Sequence, residues 1–280
     1  MTDIRAVLEL ERIDRDVYRG PVVPTELKRT FGGQVAGQSL IAAARTVDAD
    51  FAVHSLHGYF LRPGDPQRPT LFTVDRIKQG RSFCVRRVTG LQEGEAIFSA
   101  SVSFHVPETG VEHQDPMPHA PAPEDLPDPK LGDDEAAEWF GGEWADWDLR
   151  IVPDAETMGS GDGPARQRVW MRYASALPDD PVLHICALAY MSDMTLLDAA
   201  KVPHRGVFTA NASLDHAMWF LRPFRADDWL LYDQTSPSAG AGRALTEGRI
   251  FTRDGLLVAA VTQEGLMRVV DQPWDGRVGR

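Results

Sequence analysis

Phe60-Leu61-Arg62-Pro63 returns as Phe220-Leu221-Arg222-Pro223, a spacing of 160 residues. At that spacing Tyr59 meets Trp219, Ile97-Phe98 meet Leu257-Val258 and Ser103 meets Gln263, while Phe31 meets Tyr190 one residue out of step. Chance does not align so many elements, so the chain reads as one fold written twice. The copies differ where chemistry could reside. Asp193, Ser213 and Gln263 stand opposite Gln34, Val53 and Ser103, and only the later copy offers a carboxylate.

Outward from the repeated tetrapeptide, both copies follow the same order. In the first, the paired glycines Gly32-Gly33 lead into an Ala-rich run of helix length over residues 34–47. Strand-like runs follow at 53–61, 70–77, 82–91 and 96–106, broken by Pro63-Gly64-Asp65, Gln79-Gly80 and Glu93-Gly94. In the second, a strand at 167–173 precedes a helical stretch over 184–199 with a break near Ser192, then strands at 210–220, 229–236, 242–252 and 256–268. Between the copies, prolines 116, 118, 121, 123, 127 and 129 and the run Asp133-Asp134-Glu135 mark a surface connector with a short helix at 135–140 and a strand at 148–152. The expected organisation is an N-terminal repeat over 1–106, a Pro/Asp-rich linker over 107–164, a C-terminal repeat over 165–270 and a loosely held tail over 271–280.

Composition narrows the classes of function. With 43% hydrophobic and 25% charged residues, the 280-residue chain suits two modest globular units or one large fused one. A net charge of −12 argues against nucleic acid as a partner, because backbone binding relies on many cations releasing counterions from phosphates. Cys84 and Cys186 make neither a disulfide framework nor a metal-ligand spacing, and read as buried thiols in a reducing compartment. The start, MTDIRAVLELERID, is charged throughout, and no later stretch reads as a membrane span. A soluble, cytoplasmic protein is expected.

Candidate chemistry centres on Asp193, read as lying in the first turn of a helix capped by Ser192 and ending near Ala200. A capping role alone explains an acid there, and Ser213 and Gln263 taken singly are ordinary strand residues. Their company is what points to function, since the repeat puts both on strands wrapping the Asp193 helix. Other groups read as structural. Asp215 and His216 are adjacent on a strand and so face opposite ways, which leaves His216 as a packed or hydrogen-bonded residue. His54 and His57 lack a third nearby ligand. Arg62, Arg86, Arg87 and Arg222 could meet a phosphate but read as surface partners of the abundant acids, and Cys84 as core. Gly159-Ser160-Gly161 is a loop rather than a nucleophile elbow, and Ser236-Pro237-Ser238-Ala239-Gly240, lacking a phosphate-binding lysine, is a turn.

Phe31-Gly32-Gly33-Gln34, the run 54–64 (HSLHGYFLRPG), Ser192-Asp193, the run 214–220 (LDHAMWF) and Gln263-Glu264-Gly265-Leu266-Met267-Arg268 together resemble the bacterial acyl-CoA thioesterase II family. The likeness covers nearly the whole chain, the linker's Glu112-His113-Gln114 and Ala120-Pro121-Ala122-Pro123 included. It implies an α+β double hotdog fold, in which each half wraps an antiparallel sheet around a long helix, and hydrolysis of acyl-CoA without metal or redox cofactor. It also implies a homo-oligomer, a dimer or larger. An Asp, a Thr and a Gln hold and activate water in that family; they match Asp193, Ser213 and Gln263, with Ser replacing Thr. Serine keeps the hydroxyl but loses the methyl that helps fix the rotamer. Two other functions stay open at this stage: a noncatalytic acyl-CoA or lipid-binding module, and an enoyl-CoA hydratase or dehydratase on a related scaffold.

Overall fold

The computed structural model describes residues 3–131, 135–153 and 165–272. Gly159-Ser160-Gly161, Asp133-Asp134 and most of the expected tail lie outside the described residues. In chain order the elements are α1 (Ile4–Leu8), β1 (Glu11–Asp14), β2 (Val17–Arg19), α2 (Gly32–Ala44), β3 (Ala52–Phe60), β4 (Leu71–Gln79), β5 (Phe83–Gln92) and β6 (Glu95–His105). After the connector come α3 (Glu135–Gly142), β7 (Trp147–Ile151), β8 (Ala165–Tyr173), α4 (Pro181–Ser192), a 3₁₀ segment (Leu196–His204), β9 (Thr209–Ser213), β10 (Asp215–Phe220), β11 (Leu230–Gly240), β12 (Arg243–Thr252) and β13 (Leu257–Val269).

Among the described residues, all strands join one antiparallel sheet in the order β1-β2-β4-β5-β6-β3-β10-β13-β12-β11-β8-β7, with β9 added to β13. The order reads alike from both ends. At its centre His57 pairs with Ala217, its own partner at the 160 spacing, so a local two-fold axis passes through the β3–β10 pair. The sheet curls around α2 on one side and the 3₁₀ segment on the other, the double hotdog arrangement. A single core runs through both halves, with Leu40, Leu56, Phe98, Leu188, Tyr232 and Val261 in one continuous cluster.

One turn breaks the symmetry. β5 and β6 are joined by Glu93 and Gly94, both at positive φ, as a tight two-residue hairpin requires. In the second copy the turn is closed by the Thr252 N–H donating to the Leu256 carbonyl at 2.9 Å and encloses Arg253, Asp254 and Gly255, one residue more than the Gln92–Glu95 turn of the first. From there the spacing becomes 161: Phe60 pairs with Phe98, but Phe220 pairs with Ala259. Gln263 therefore corresponds to Val102 rather than Ser103. Side chains alternate with period two, so Ser103 faces outward to His54 while Gln263 faces the helices.

Four expectations about local structure change. Arg86 is not on the surface: alternation with Cys84 and Val88 turns it inward beneath the end of α2, where it donates to the Thr46 carbonyl at 3.1 Å and to the Thr46 hydroxyl at 2.8 Å. That placement answers the negative end of the helix. The 236–240 run is not a turn but the bulged end of β11, whose register shifts between Thr235 and Ser238; the chain reverses at Ala241 and Gly242. Pro181–His204 is apolar and long enough to cross a membrane by composition, yet 61% of its most apolar window is buried as the core of this fold. The connector is anchored, with Met117, Ala120 and Leu126 packed against Trp170 and Phe251, and the Trp170 indole donating to the Pro121 carbonyl at 2.9 Å.

α2 and α4 cross antiparallel at glycines. A methyl at Gly33 would collide with the Tyr190 carbonyl, and one at Gly37 would lie 3.0 Å from that of Cys186. Phe31 and Tyr190 meet edge-on here at 4.9 Å between ring centroids. Gly33→Ala is expected to force the helices apart and cost on the order of 1–3 kcal/mol, read as a lower midpoint in denaturant unfolding.

Candidate active site

Asp193 does not open a helix. α4 ends at Ser192, and Asp193 is its C-terminal residue, its N–H donating to the Met191 carbonyl. The chain then breaks before the 3₁₀ segment. The sequence reading placed the acid one helical piece too late because Ser is a favoured N-cap residue and an acid suits a first turn. The consequence is electrostatic: the end of α4 disfavours a negative charge, whereas the start of α2, which lies alongside it, favours one. α2 has no side-chain cap on Phe31 and no acid in its first turn, and the Gly33 N–H hydrogen-bonds to the Asp193 carboxylate. Gly32 leaves room, since a methyl there would lie 2.6 Å from Oδ2 of Asp193 and 2.9 Å from the Phe60 ring.

The three residues singled out in the sequence come together. The Ser213 hydroxyl donates to Oδ1 of Asp193 at 3.0 Å, and Nε2 of Gln263 donates to the same oxygen at 3.0 Å and to Oγ of Ser213 at 2.6 Å. Ser213 lies at the end of β9, opposite Gly265 of β13, and Gln263 lies two residues before Gly265. Gly265 has no room for a side chain against Leu197, so β13 presses close to the 3₁₀ segment at this point.

A fourth residue, set aside in the sequence as structural, completes the network. His216 is fully buried, with Nδ1 at 2.7 Å from Oε1 of Gln263 and Nε2 at 2.8 Å from Oγ of Ser192. The hydrogen-bond logic fixes its proton. A carboxylate can only accept, so the Gln263 amide must aim its NH₂ at Asp193 and its carbonyl at His216, and Nδ1 must carry a hydrogen. Alternation does send Asp215 the other way, where it accepts from the Glu264 N–H at 2.7 Å. The signal available in the sequence was the joint presence of Ser192 and His216 beside two site residues, which no spacing rule links.

Burial pushes the Asp193 carboxyl up from the ordinary carboxylate range, against the opposing pull of His216, Ser213, Gln263 and the Gly33 N–H. Some exposure remains at Asp193, but the surrounding protein is dense enough that loss of water dominates. The result is a carboxylate with hydrogen-bonded neighbours and a raised proton affinity.

Two family models match the chain: the acyl-CoA thioesterase model over residues 142–266 and the acyl-CoA thioesterase N-terminal domain model over residues 23–105. Acyl-coenzyme A thioesterase 8 of Mus musculus is 40% identical, over 96% of this chain and 90% of its own length. Acyl-CoA thioesterase 2 of Haemophilus influenzae is 36% identical, over 94% and 96% respectively. The chain belongs to the acyl-CoA thioesterase II family. Its fold matches the crystal structure of an acyl-CoA thioesterase II from Mycobacterium marinum with a TM-score of 0.84 at 53% identity, over 96% of this chain and 99% of that one. Acyl-CoA thioester hydrolysis is thus the enzyme's activity. The fold alone would not decide it, since a dehydratase domain from Pseudomonas fluorescens shares it at a TM-score of 0.52 and 10% identity.

A carboxyl whose folded pKa lies above its unfolded value of about 3.9 stabilises the fold fully below that value and loses the contribution as pH rises through the folded pKa. Asp193→Asn cannot ionise, so its melting temperature relative to the native enzyme is expected to climb as pH is raised from 4 to 7.

Proposed function

We propose that Asp193 is the general base of fatty acyl-CoA hydrolysis and that Ser213 and Gln263 orient the water it activates. The observation that carries this reading is the convergence of the Ser213 hydroxyl and the Gln263 amide on Oδ1, which leaves Oδ2, on the Gly32 side, as the proton acceptor. Water attacks the thioester carbonyl, its oxygen bonding to carbon while one proton passes to Asp193. The tetrahedral oxyanion develops beside the uncapped start of α2, whose backbone N–H groups are preorganised donors. The carbon–sulfur bond then breaks, and the proton held by Asp193 passes to the CoA thiolate. A thioester is electrophilic enough for direct attack, so no serine or cysteine nucleophile, metal or redox cofactor is required.

His216 is a positioning residue in this scheme. It grips the Gln263 carbonyl and so keeps the amide NH₂ turned toward Asp193. The first half lacks the equivalent chemistry: Gln34 is neutral, and Val53 and Val102 donate no hydrogen bond, which supports reading that half as catalytically silent. Two buried free thiols support a reducing, cytoplasmic setting. A dimer or larger assembly is part of the same reading and is tested by sedimentation.

The decisive experiment follows free thiol release from a panel of acyl-CoAs. Asp193→Asn is expected to lower kcat about 10²–10⁴-fold with acyl-CoA binding retained. In the native enzyme kcat/KM should rise with pH to a plateau, with a midpoint above the usual carboxylate range because the deprotonated acid is the active form. Thiol release that survives Asp193→Asn, or hydration of enoyl-CoA without thiol release, would overturn the proposal.

A second comparison separates the orienting groups. Ser213→Thr should keep most of the activity because the hydroxyl stays, whereas Ser213→Ala and His216→Ala should each lower kcat more than they raise KM. An unchanged rate in Ser213→Ala would remove the hydroxyl from the mechanism.

A further inference from the structure

A cavity of about 1350 Å³ opens at the β3 and α4 side of the molecule, and none of Asp193, Ser213 or Gln263 lines it. Its walls include Val53, Ile185, Phe220, Leu221, Phe224 and Trp229. Its size is ample for a long acyl chain, because small-molecule sites run from roughly 300 to 1,000 Å³.

Part of its wall is the image of an active-site wall about the central two-fold axis, although Gln34 and Val102 do not line it. Val53 pairs with Phe104 on β6 as Ser213 pairs with Gly265 on β13. Phe220, Leu221, Arg222 and Pro223 line the cavity, and their copies begin with Phe60, whose ring abuts Gly32 beside the Asp193 carboxylate. Part of the shape was therefore duplicated while the chemistry was not: Val53 stands in this wall where the other copy has Ser213. Charges of both signs line it, Arg172, Arg222, Arg225 and Arg253 beside Glu108, Glu124, Asp179, Asp228 and Asp254. Arg172, Arg225 and Arg253 are each paired with an acid, whereas Arg222 is held by the carbonyls of Leu257 and His113, at 2.9 and 3.0 Å.

We propose that this cavity is a second acyl site, binding a fatty acyl chain with an anionic head group, as the free acid or the CoA ester, without hydrolysing it. The inference rests on reading Asp193 as the base of the other site. Apolar walls take the chain, and Arg222 faces the carboxylate or the phosphates of CoA.

Binding of palmitate, palmitoyl-CoA and CoA is measured by equilibrium dialysis on Asp193→Asn protein, with and without Ile185→Trp, which fills the cavity from α4. One molar equivalent of palmitate or palmitoyl-CoA is expected to disappear on filling the cavity. Loss with palmitate identifies the free acid as a ligand, and loss with palmitoyl-CoA alone identifies the ester. Equal binding in filled and unfilled proteins, or an equivalent taken by CoA alone, would overturn the proposal. Leu221→Trp, at a position 45% exposed, repeats the test should Ile185→Trp unfold. Thiol release is followed in the same samples: turnover persisting in Asp193→Asn would refute the catalytic reading separately, while leaving the dialysis result to decide the cavity.

Discussion

A carboxylate held between the end of one helix and the start of another is the interaction on which the rest of this enzyme depends. α4 alone would make Asp193 a poor place for a charge; α2 alone would leave its first-turn N–H groups without an acceptor. Brought together they answer each other, though burial still holds the acid's proton affinity above normal. The close approach is possible because Gly32 and Gly33 carry no side chain where Asp193 and the Tyr190 carbonyl stand. Their value lies in the absent Cβ rather than in backbone freedom.

Duplication gave the molecule two places for such a site, and a single extra residue helped separate their fates. The three-residue loop before β13 moves that strand by one position relative to β6, which turns Gln263 inward where an unshifted strand would have turned it out. Gln263 then reaches Asp193 and Ser213 on one side and His216 on the other, so both its N–H donors have acceptors and its carbonyl accepts from one donor, with a lone pair to spare. An amide gripped at both ends in this way has one orientation.

Much of this was legible in the chain. The repeated FLRP tetrapeptide, the glycine breaks and the alternating runs specify two antiparallel meanders each following a helix, and the strands lie within a few residues of where the pattern puts them. The trio Asp193, Ser213 and Gln263 was visible as a set because the other copy lacks it. Less visible was anything depending on a neighbour distant in sequence. Arg86 looks like a surface cation until the end of α2 is seen above it. His216 looks like a strand residue until Gln263, paired two strands' worth of sequence away, is found at 2.7 Å. Asp193 looks like the start of a helix because a local cap pattern does not reveal which side of it the hydrogen bonds continue.

By itself, then, the sequence determined two copies of a helix followed by an antiparallel meander and the side of the duplication that carries an acid, because hydrophobic period, turn residues and internal repeats survive without coordinates; the double hotdog wrapping was implied only by the family resemblance. Only the tertiary structure decided the acid's electrostatics, the facing of Gln263 and the hydrogen-bond partners of His216. These follow from helix ends, loop length and proton-donor matching across segments far apart in the chain, and such relations exist only once the segments are packed.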